Sequence, residues 1–417
     1  MQMKIRKRNK VTVLFFIVVM ALENFSWLID PDKYMVPGLL KFSDIGILCA
    51  LLWMVLVYLE CRRSQTNIRA SWYPALFIPL LAISSLACYL YFGQPIGMSI
   101  RQNRYIIISF LMYYFIIMAL ASGKLQFSDL INSIKYMALF EICVFFFQYL
   151  LVGKVTFVYT GISNRYDSAR LRVSYLLPLI FAYFALNEFM NGRKKVKNLI
   201  FTALGIGVLA VVCKHRAPTM IVLVTLICAY FLWKKDYSTK LIVFVFGLIL
   251  LVTVVSSSVI VQDAIRVLTA GNNAGEDNFT IRLLGQQYYF NRLSTLNAWL
   301  VGFGEPNIYH REAYLASGVG YRFYLADNGV FGFLYCHGVV GILWLIAFFK
   351  NYFSKALYLF KQRRCYQYII YIIFEIGNLY MGMHWYYYYS FPFILMFSAL
   401  SWEYFIAKNE KSNAIRR

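Results

Sequence analysis

The chain has 417 residues, 60% of them hydrophobic and only 14% charged, with a net charge of +22 and a mean hydropathy of +0.59. A soluble domain is nearer half apolar and about a quarter charged, so these values exclude a large soluble domain. Apolar runs of about twenty residues recur along the chain and mark membrane-spanning helices, so the positive charge is sorted by membrane side and not read as a nucleic-acid footprint.

In chain order, the basic start "MQMKIRKRNK" (1–10) leads into an apolar run with no small-residue cleavage site. It reads as a retained first span, not a removed leader. Twelve spans are predicted: 11–29, 43–59, 72–92, 105–121, 132–152, 174–190, 198–213, 217–233, 241–258, 329–349, 366–382 and 388–407. With a cytoplasmic N-terminus, the inner segments and Lys135 hold 26 of the 41 Lys and Arg residues. The bias towards the inner side follows the positive-inside rule and makes both termini cytoplasmic. The fold expected is an all-α polytopic membrane protein, a single membrane domain over 1–417. A large outer loop, 259–328, is inserted between spans nine and ten.

Of the 15 outer cations, eleven are Arg, whereas the inner set holds 10 Arg and 16 Lys. Topology and anionic lipid account for inner Lys. Outer Arg asks for more: guanidinium makes planar, two-pronged hydrogen bonds to phosphate or carboxylate. An anionic ligand handled on the outer face fits the pattern, and pairing with loop acids such as Asp167, Asp263, Glu276 and Glu312 is the simpler alternative.

The first concentration is the loop 153–173, "GKVTFVYTGISNRYDSARLRV", with Arg165, Arg170 and Arg172 against one acid, Asp167. The second is "VLAVVCKHRAPTMIVLV" (208–224). Two spans share the 36 residues 198–233, whereas each ordinarily needs about 20. The turn therefore stays near headgroup level, and Lys214, His215 and Arg216 with it. Pro218 favours a helix's first turn, so backbone N–H groups and the positive dipole end lie beside Arg216. That suits a lipid-linked phosphate; snorkelling towards ordinary headgroups is the plain alternative.

Within 259–328, the linker "AGNNAGEDN" (270–278) precedes a helical stretch near 279–300, capped by Asp277 or Asn278. "GFGEP" (302–306) stops it. Arg282, Gln286 and Tyr289 share one helical face, a polar and aromatic stripe suited to a sugar phosphate, with Arg292 nearby. An amphipathic helix lying on the bilayer is the alternative. "YLADNGVFGFLYCHGVVGILW" (324–344) opens the tenth span with Asp327 and Asn328. Asp327 is either a cap or an outer carboxylate able to take a proton from a sugar hydroxyl; Glu305, Glu312 and His310 compete for that role. His337 reads as an interhelical hydrogen-bonder. Glu141 and Glu375 lie within spans, paired with Arg, marking an ion path, or neutral and hydrogen-bonded. "HWYYYYSF" (384–391) is an interfacial aromatic belt or a sugar-stacking platform. The eight cysteines show no metal-type spacing, which predicts neither disulfides nor zinc. No nucleotide-binding glycine loop, HExxH or Gly-x-Ser-x-Gly occurs.

Taken together, these segments resemble the O-antigen polymerase and ligase superfamily (Wzy-type exopolysaccharide polymerases). The resemblance rests on Arg216 in "KHRAP", Arg282 in "FTIRLL", Gly302 and Gly304 in "GFGEP", and Asp327–Asn328 in "DNGVFGFLYCHGVVG". It implies a metal-independent, cofactor-free glycosyltransferase of GT-C-like fold, multi-pass in the bacterial cytoplasmic (inner) membrane and acting at its outer face. The implied donor is an oligosaccharide on undecaprenyl diphosphate, passed to an acceptor repeat unit with inversion. Arg216 and Arg282 are the implied diphosphate ligands, Arg165, Arg170 or Arg172 assist, and Asp327 is base or orienting group. Ligases of the superfamily carry His where this chain has Asp327, which favours a polymerase. The implied partners are donor, acceptor, membrane lipid and, as a further candidate, a chain-length regulator, with no nucleic acid. The alternatives are a ligase-type enzyme, a polyprenyl-monophosphate-sugar transferase using Asp30 and Asp32, and a lipid-linked oligosaccharide flippase.

Overall fold

The structure, a computed structural model, describes residues 9–36, 40–62, 70–165, 168–233, 278–388 and 390–415. The predicted ninth span, 241–258, the linker up to residue 277 with the candidate cap Asp277, and Asp167 lie outside the described residues. Helices cover the other predicted spans: α1 (Lys10–Leu22), α2 (Asp44–Cys61), α3 (Tyr73–Phe92), α4 (Ile96–Ala121), α5 (Phe127–Leu150), α6 (Leu176–Met190), α7 (Lys195–Gly207) and α8 (Arg216–Leu232). After the inserted segment come α12 (Gly329–Arg363), α13 (Tyr366–Met381), the short α14 (His384–Tyr387) and α15 (Ser390–Ile415). Among the described residues seven helices are long and apolar enough to cross a membrane, and α1, α6 and α8 are shorter apolar helices. The chain is an all-α multi-pass membrane protein.

Composition explains which helices sit inside. The most apolar stretch of α15 is 72% buried against 33% for those of α2 and α7, so α15 runs through the centre while α2 and α7 are peripheral. Phe393 and Phe397 on α15 pack against Phe348 and Tyr352 on α12, with Trp385 stacked on Phe393 at 4.4 Å. Peripheral helices dock where a small residue admits a neighbour's backbone. An added Cβ on Gly46 of α2 would lie 2.8 Å from the Ala21 carbonyl oxygen of α1. On Gly205 of α7 it would lie 2.5 Å from the Pro178 oxygen and 2.8 Å from the Ala182 Cβ of α6. Replacing Gly205 by alanine is therefore expected to destabilise the protein by about 1–3 kcal/mol, the ordinary cost of overpacking. A lower thermal-unfolding midpoint in detergent checks it; an unchanged midpoint rules out a close α6–α7 contact.

Three expectations are corrected. Beside the short pair β1 (Tyr34–Val36) and β2 (Leu40–Lys41), the loop 153–173 contains a hairpin, β3 (Ile162–Arg165) paired antiparallel with β4 (Ser168–Leu171). The stretch near 279–300 is two helices, α9 (Asn278–Arg292) and α10 (Leu296–Val301). Thr295 divides them: its hydroxyl accepts the Ala298 N–H at 3.3 Å and caps α10, and hydroxyl side chains favour caps over helix interiors. The tenth predicted span continues to Arg363, but its helix is interrupted at Gly338 (φ 61°, ψ −164°).

That interruption anchors the inserted segment. The last carbonyls before Gly338 are released from the helical ladder. Tyr335 O accepts the Phe303 N–H at 2.8 Å, and Cys336 O accepts the Gly304 N–H at 3.0 Å and the Ser84 hydroxyl at 3.2 Å. Irregular backbone among spanning helices needs such replacement partners. Tyr289, Leu293, Ala298 and Phe303 bury themselves against Tyr335 and Cys336 in a second core, so α9, α10 and α11 (Arg311–Ala316) form a cap seated on the bundle.

Candidate functional site

The cap, the β3–β4 hairpin, the α7–α8 turn and the α13–α15 connection meet at one end of the bundle. Between them lies a cavity of about 1990 Å³ whose lining includes Arg170, Arg172, His215, Arg216, Arg282 and Asp327.

Each side chain is placed by its local backbone. Arg170 and Arg172 are two residues apart at the end of β4, so both project to one face; the Arg172 N–H bonds Gly161 O at 3.0 Å and continues the pairing. After α7 the chain widens into a π-turn at Val208–Val212. Lys214 then adopts a left-handed conformation at φ 49°, the reversal that lets α8 start at Arg216. Arg282 lies in the first turns of α9, and Asp327 in the 3₁₀ turn Leu325–Asn328 before α12.

Arg170 Nη2 lies 3.2 Å from His215 Nδ1. The same nitrogen is 3.4 Å from His215 Nε2, so the guanidinium packs against the imidazole. His215, His384 and Tyr175 pack ring to ring at 5.4–5.6 Å, and the Tyr175 hydroxyl bonds His384 Nδ1. Desolvation, then the charges of Arg282 and Arg170, hold His384 down at about 4. An aromatic cluster thus backs a wall of guanidinium groups.

The remaining residues singled out from sequence do other work. The Arg165 side chain lies outside the described residues. Lys214 is buried with its ammonium 5.5 Å from the centre of the Tyr149 ring. Gln286 is half-buried on α9. Tyr289 is buried and donates to Ser317 O at 3.0 Å, and the Arg292 guanidinium lies 6.0 Å from the Tyr288 ring centre. The Asn328 amide donates to Tyr324 O at 2.8 Å and touches Gly285, fixing α9 against the start of α12. None of these five belongs to the cavity lining. His310 caps α11 by accepting the Ala313 N–H. Asp30 accepts the Asp32 N–H at 3.0 Å and closes its own turn, while Asp32 pairs with Lys41 at 2.8 Å and Arg104 with Asp44 at 2.9 Å.

Sequence reasoning gave too little weight to the aromatic run. His384, Tyr386, Tyr387 and Tyr388 all line the cavity, as do Glu23 and Glu305. The low-complexity stretch at 384–391 was the signal, and its alternative reading as a sugar platform fits this placement.

Away from the cations the lining turns apolar. Pro218, Met220, Ile221 and Val224 on α8 face Ile373, Ile376 and Gly377 on α13. Met220 is 62% exposed, Val224 54% and Ile376 45%, so apolar residues of the lining reach the surface of both helices. The closeness of that seam follows from Gly377, where an added Cβ would come within 2.6 Å of Ile221 Cγ2.

Fold and site together define a multi-pass helical membrane protein that holds an arginine-lined cavity at one end of its bundle. No family model matches the chain, and no curated protein matches it.

Proposed function

We propose that the protein is a polysaccharide repeat-unit polymerase. On this reading it transfers an oligosaccharide from undecaprenyl diphosphate to an acceptor repeat unit at the outer face of the bacterial cytoplasmic membrane. One observation carries the proposal: a single cavity passes from guanidinium groups and hydroxylated aromatics to an apolar seam exposed between α8 and α13. A lipid-linked oligosaccharide has three matching parts, a glycan, an anionic diphosphate and a hydrocarbon tail.

The chemistry uses the cations directly. The acceptor hydroxyl attacks the anomeric carbon, the bond from that carbon to the phosphate oxygen breaks, and undecaprenyl diphosphate leaves with the electron pair. Charge developing on the leaving oxygen is stabilised by donors already oriented towards it. Arg216 and Arg282 take that role, Arg170 and Arg172 assist, and Asp327 orients the sugar. Tyr387 and Tyr388 offer aromatic surface to the glycan. The activation resides in the diphosphate bond, so no nucleotide site is needed. The twelve-span topology, cytoplasmic termini and GT-C-like ancestry belong to the same proposal.

The test is polymer length in cells expressing Arg216→Ala or Arg282→Ala. Single lipid-linked repeat units collecting on the outer face support polymerisation; collection on the cytoplasmic face supports a flippase instead.

A further inference from the structure

Glu305 follows Gly304 in "GFGEP" and reaches the cavity from beneath the cap. Its Oε2 accepts the Tyr386 hydroxyl at 2.9 Å, and the Tyr386 oxygen lies 2.7 Å from His337 Nε2. Tyr has one hydroxyl proton, and it is given to Glu305. The Tyr386 oxygen must therefore accept from His337 Nε2–H, which sets the imidazole tautomer. His337 is held in place by Phe333 at 4.5 Å and Phe77 at 6.2 Å. Glu305 itself is fixed from both sides: Gln94 donates to its carbonyl at 3.1 Å and to Ser99 at 2.8 Å, and accepts the Asn307 N–H at 2.8 Å. The carboxylate is thus aimed by Tyr386 of α14 and His337 of α12, while Gln94 from the α3–α4 connection holds the backbone at Glu305. Asp327, by contrast, is exposed, whereas Glu305 is half-buried.

Accepting the polymerase reading above, we propose that Glu305 is the proton acceptor of the transfer step, oriented by Tyr386 and His337. The proton leaves the acceptor hydroxyl for the Glu305 carboxylate as the new carbon–oxygen bond forms and the bond to the diphosphate breaks. Tyr386 and His337 are positioning residues; they touch the base and not the sugar. The basicity is suited to the task. Desolvation pushes the Glu305 carboxyl up to about 7, and the Tyr386 and Asn103 hydrogen bonds oppose it. Tyr386 and Tyr387 from α14 and the Cys88 and Cys336 thiols are the titratable groups facing it. A base with affinity near ambient pH combines availability with driving force. Because only the ionised form accepts a proton, turnover falls as the pH drops through about 7.

Two measurements on the full-length protein decide the matter. One is polymer formation in cells as external pH is varied; the other is binding of undecaprenyl diphosphate to purified protein in lipid nanodiscs. Glu305→Gln is expected to cut polymer formation about 10²–10⁴-fold while leaving carrier binding within about threefold. Tyr386→Phe removes the hydrogen bond that favours the ionised carboxylate, so the acid limb should move upward by about 0.5–1 pH unit. A merely structural tyrosine would lower activity at every pH without moving that limb. Near-normal polymer from Glu305→Gln, with Arg216→Ala inactive, overturns the proton-acceptor role and leaves the polymerase reading standing. Loss of carrier binding in Glu305→Gln also overturns it, by making the residue structural. Failure of the unaltered protein to bind the carrier strikes the polymerase reading itself.

Discussion

Replacing Arg216 or Arg282 by alanine is expected to reduce polymer formation about 10²–10³-fold, the usual effect of removing one oriented donor from a developing anion. The size follows from position. Arg216 begins α8, where the first-turn backbone N–H groups and the helix dipole add to the side-chain charge, and Arg282 reaches the same cavity from α9. Arg216→Lys should retain part of the activity, because it keeps the charge and loses the two-pronged geometry. Gel profiles of the polymer beside lipid-linked single repeat units give the measurement. Unchanged ladders in both alanine variants would remove the cationic wall from the mechanism.

Gly304→Ala is expected to disable the protein through the backbone, not through charge. Gly304 has φ 81°, and an added Cβ would lie 2.2 Å from Ser84 O and 2.5 Å from the Cys88 Cβ. Left-handed strain and overpacking each cost about 1–3 kcal/mol, or about 2–6 kcal/mol together. Relief requires lifting residues 302–305 off α3 and α12, which breaks the Gly304 N–H bond to Cys336 O and withdraws Glu305 from Tyr386. The expected result is a large loss of both thermal stability and polymer formation. Gly318→Ala is the comparison: it has φ 88° but meets only side chains, at 3.0 Å or beyond, so it carries the conformational strain without the backbone collision. Equal stability of the two variants would show that the α3 contact does not control the loop.

Much of the wall is legible in the sequence. Arg216 stood out because a cation between two short apolar runs has no reason to be there, and Arg170 and Arg172 because so few acids accompany them. Their convergence with Arg282 and Asp327 on one cavity follows from the chain returning repeatedly to the same end of the bundle. Tyr289 was misjudged for a physical reason. Helical periodicity puts it on the Arg282 face, but α9 is clamped to α12 through Gly285 and Asn328, which turns Tyr289 into the second core.

Hydropathy and charge alone determined that the chain lives in a membrane and that arginine is concentrated in a few connecting segments. Both properties are local, because the cost of exposing apolar surface or burying charge is felt residue by residue. Which acid serves the cavity was decided only by the tertiary structure. Glu305 and Tyr386 are 81 positions apart and Tyr386 and His337 are 49 apart. They meet because a glycine interrupts α12 and two more let the cap settle on the released carbonyls. A hydrogen bond between distant segments depends on how closely their backbones approach, and no pattern within either segment records that distance.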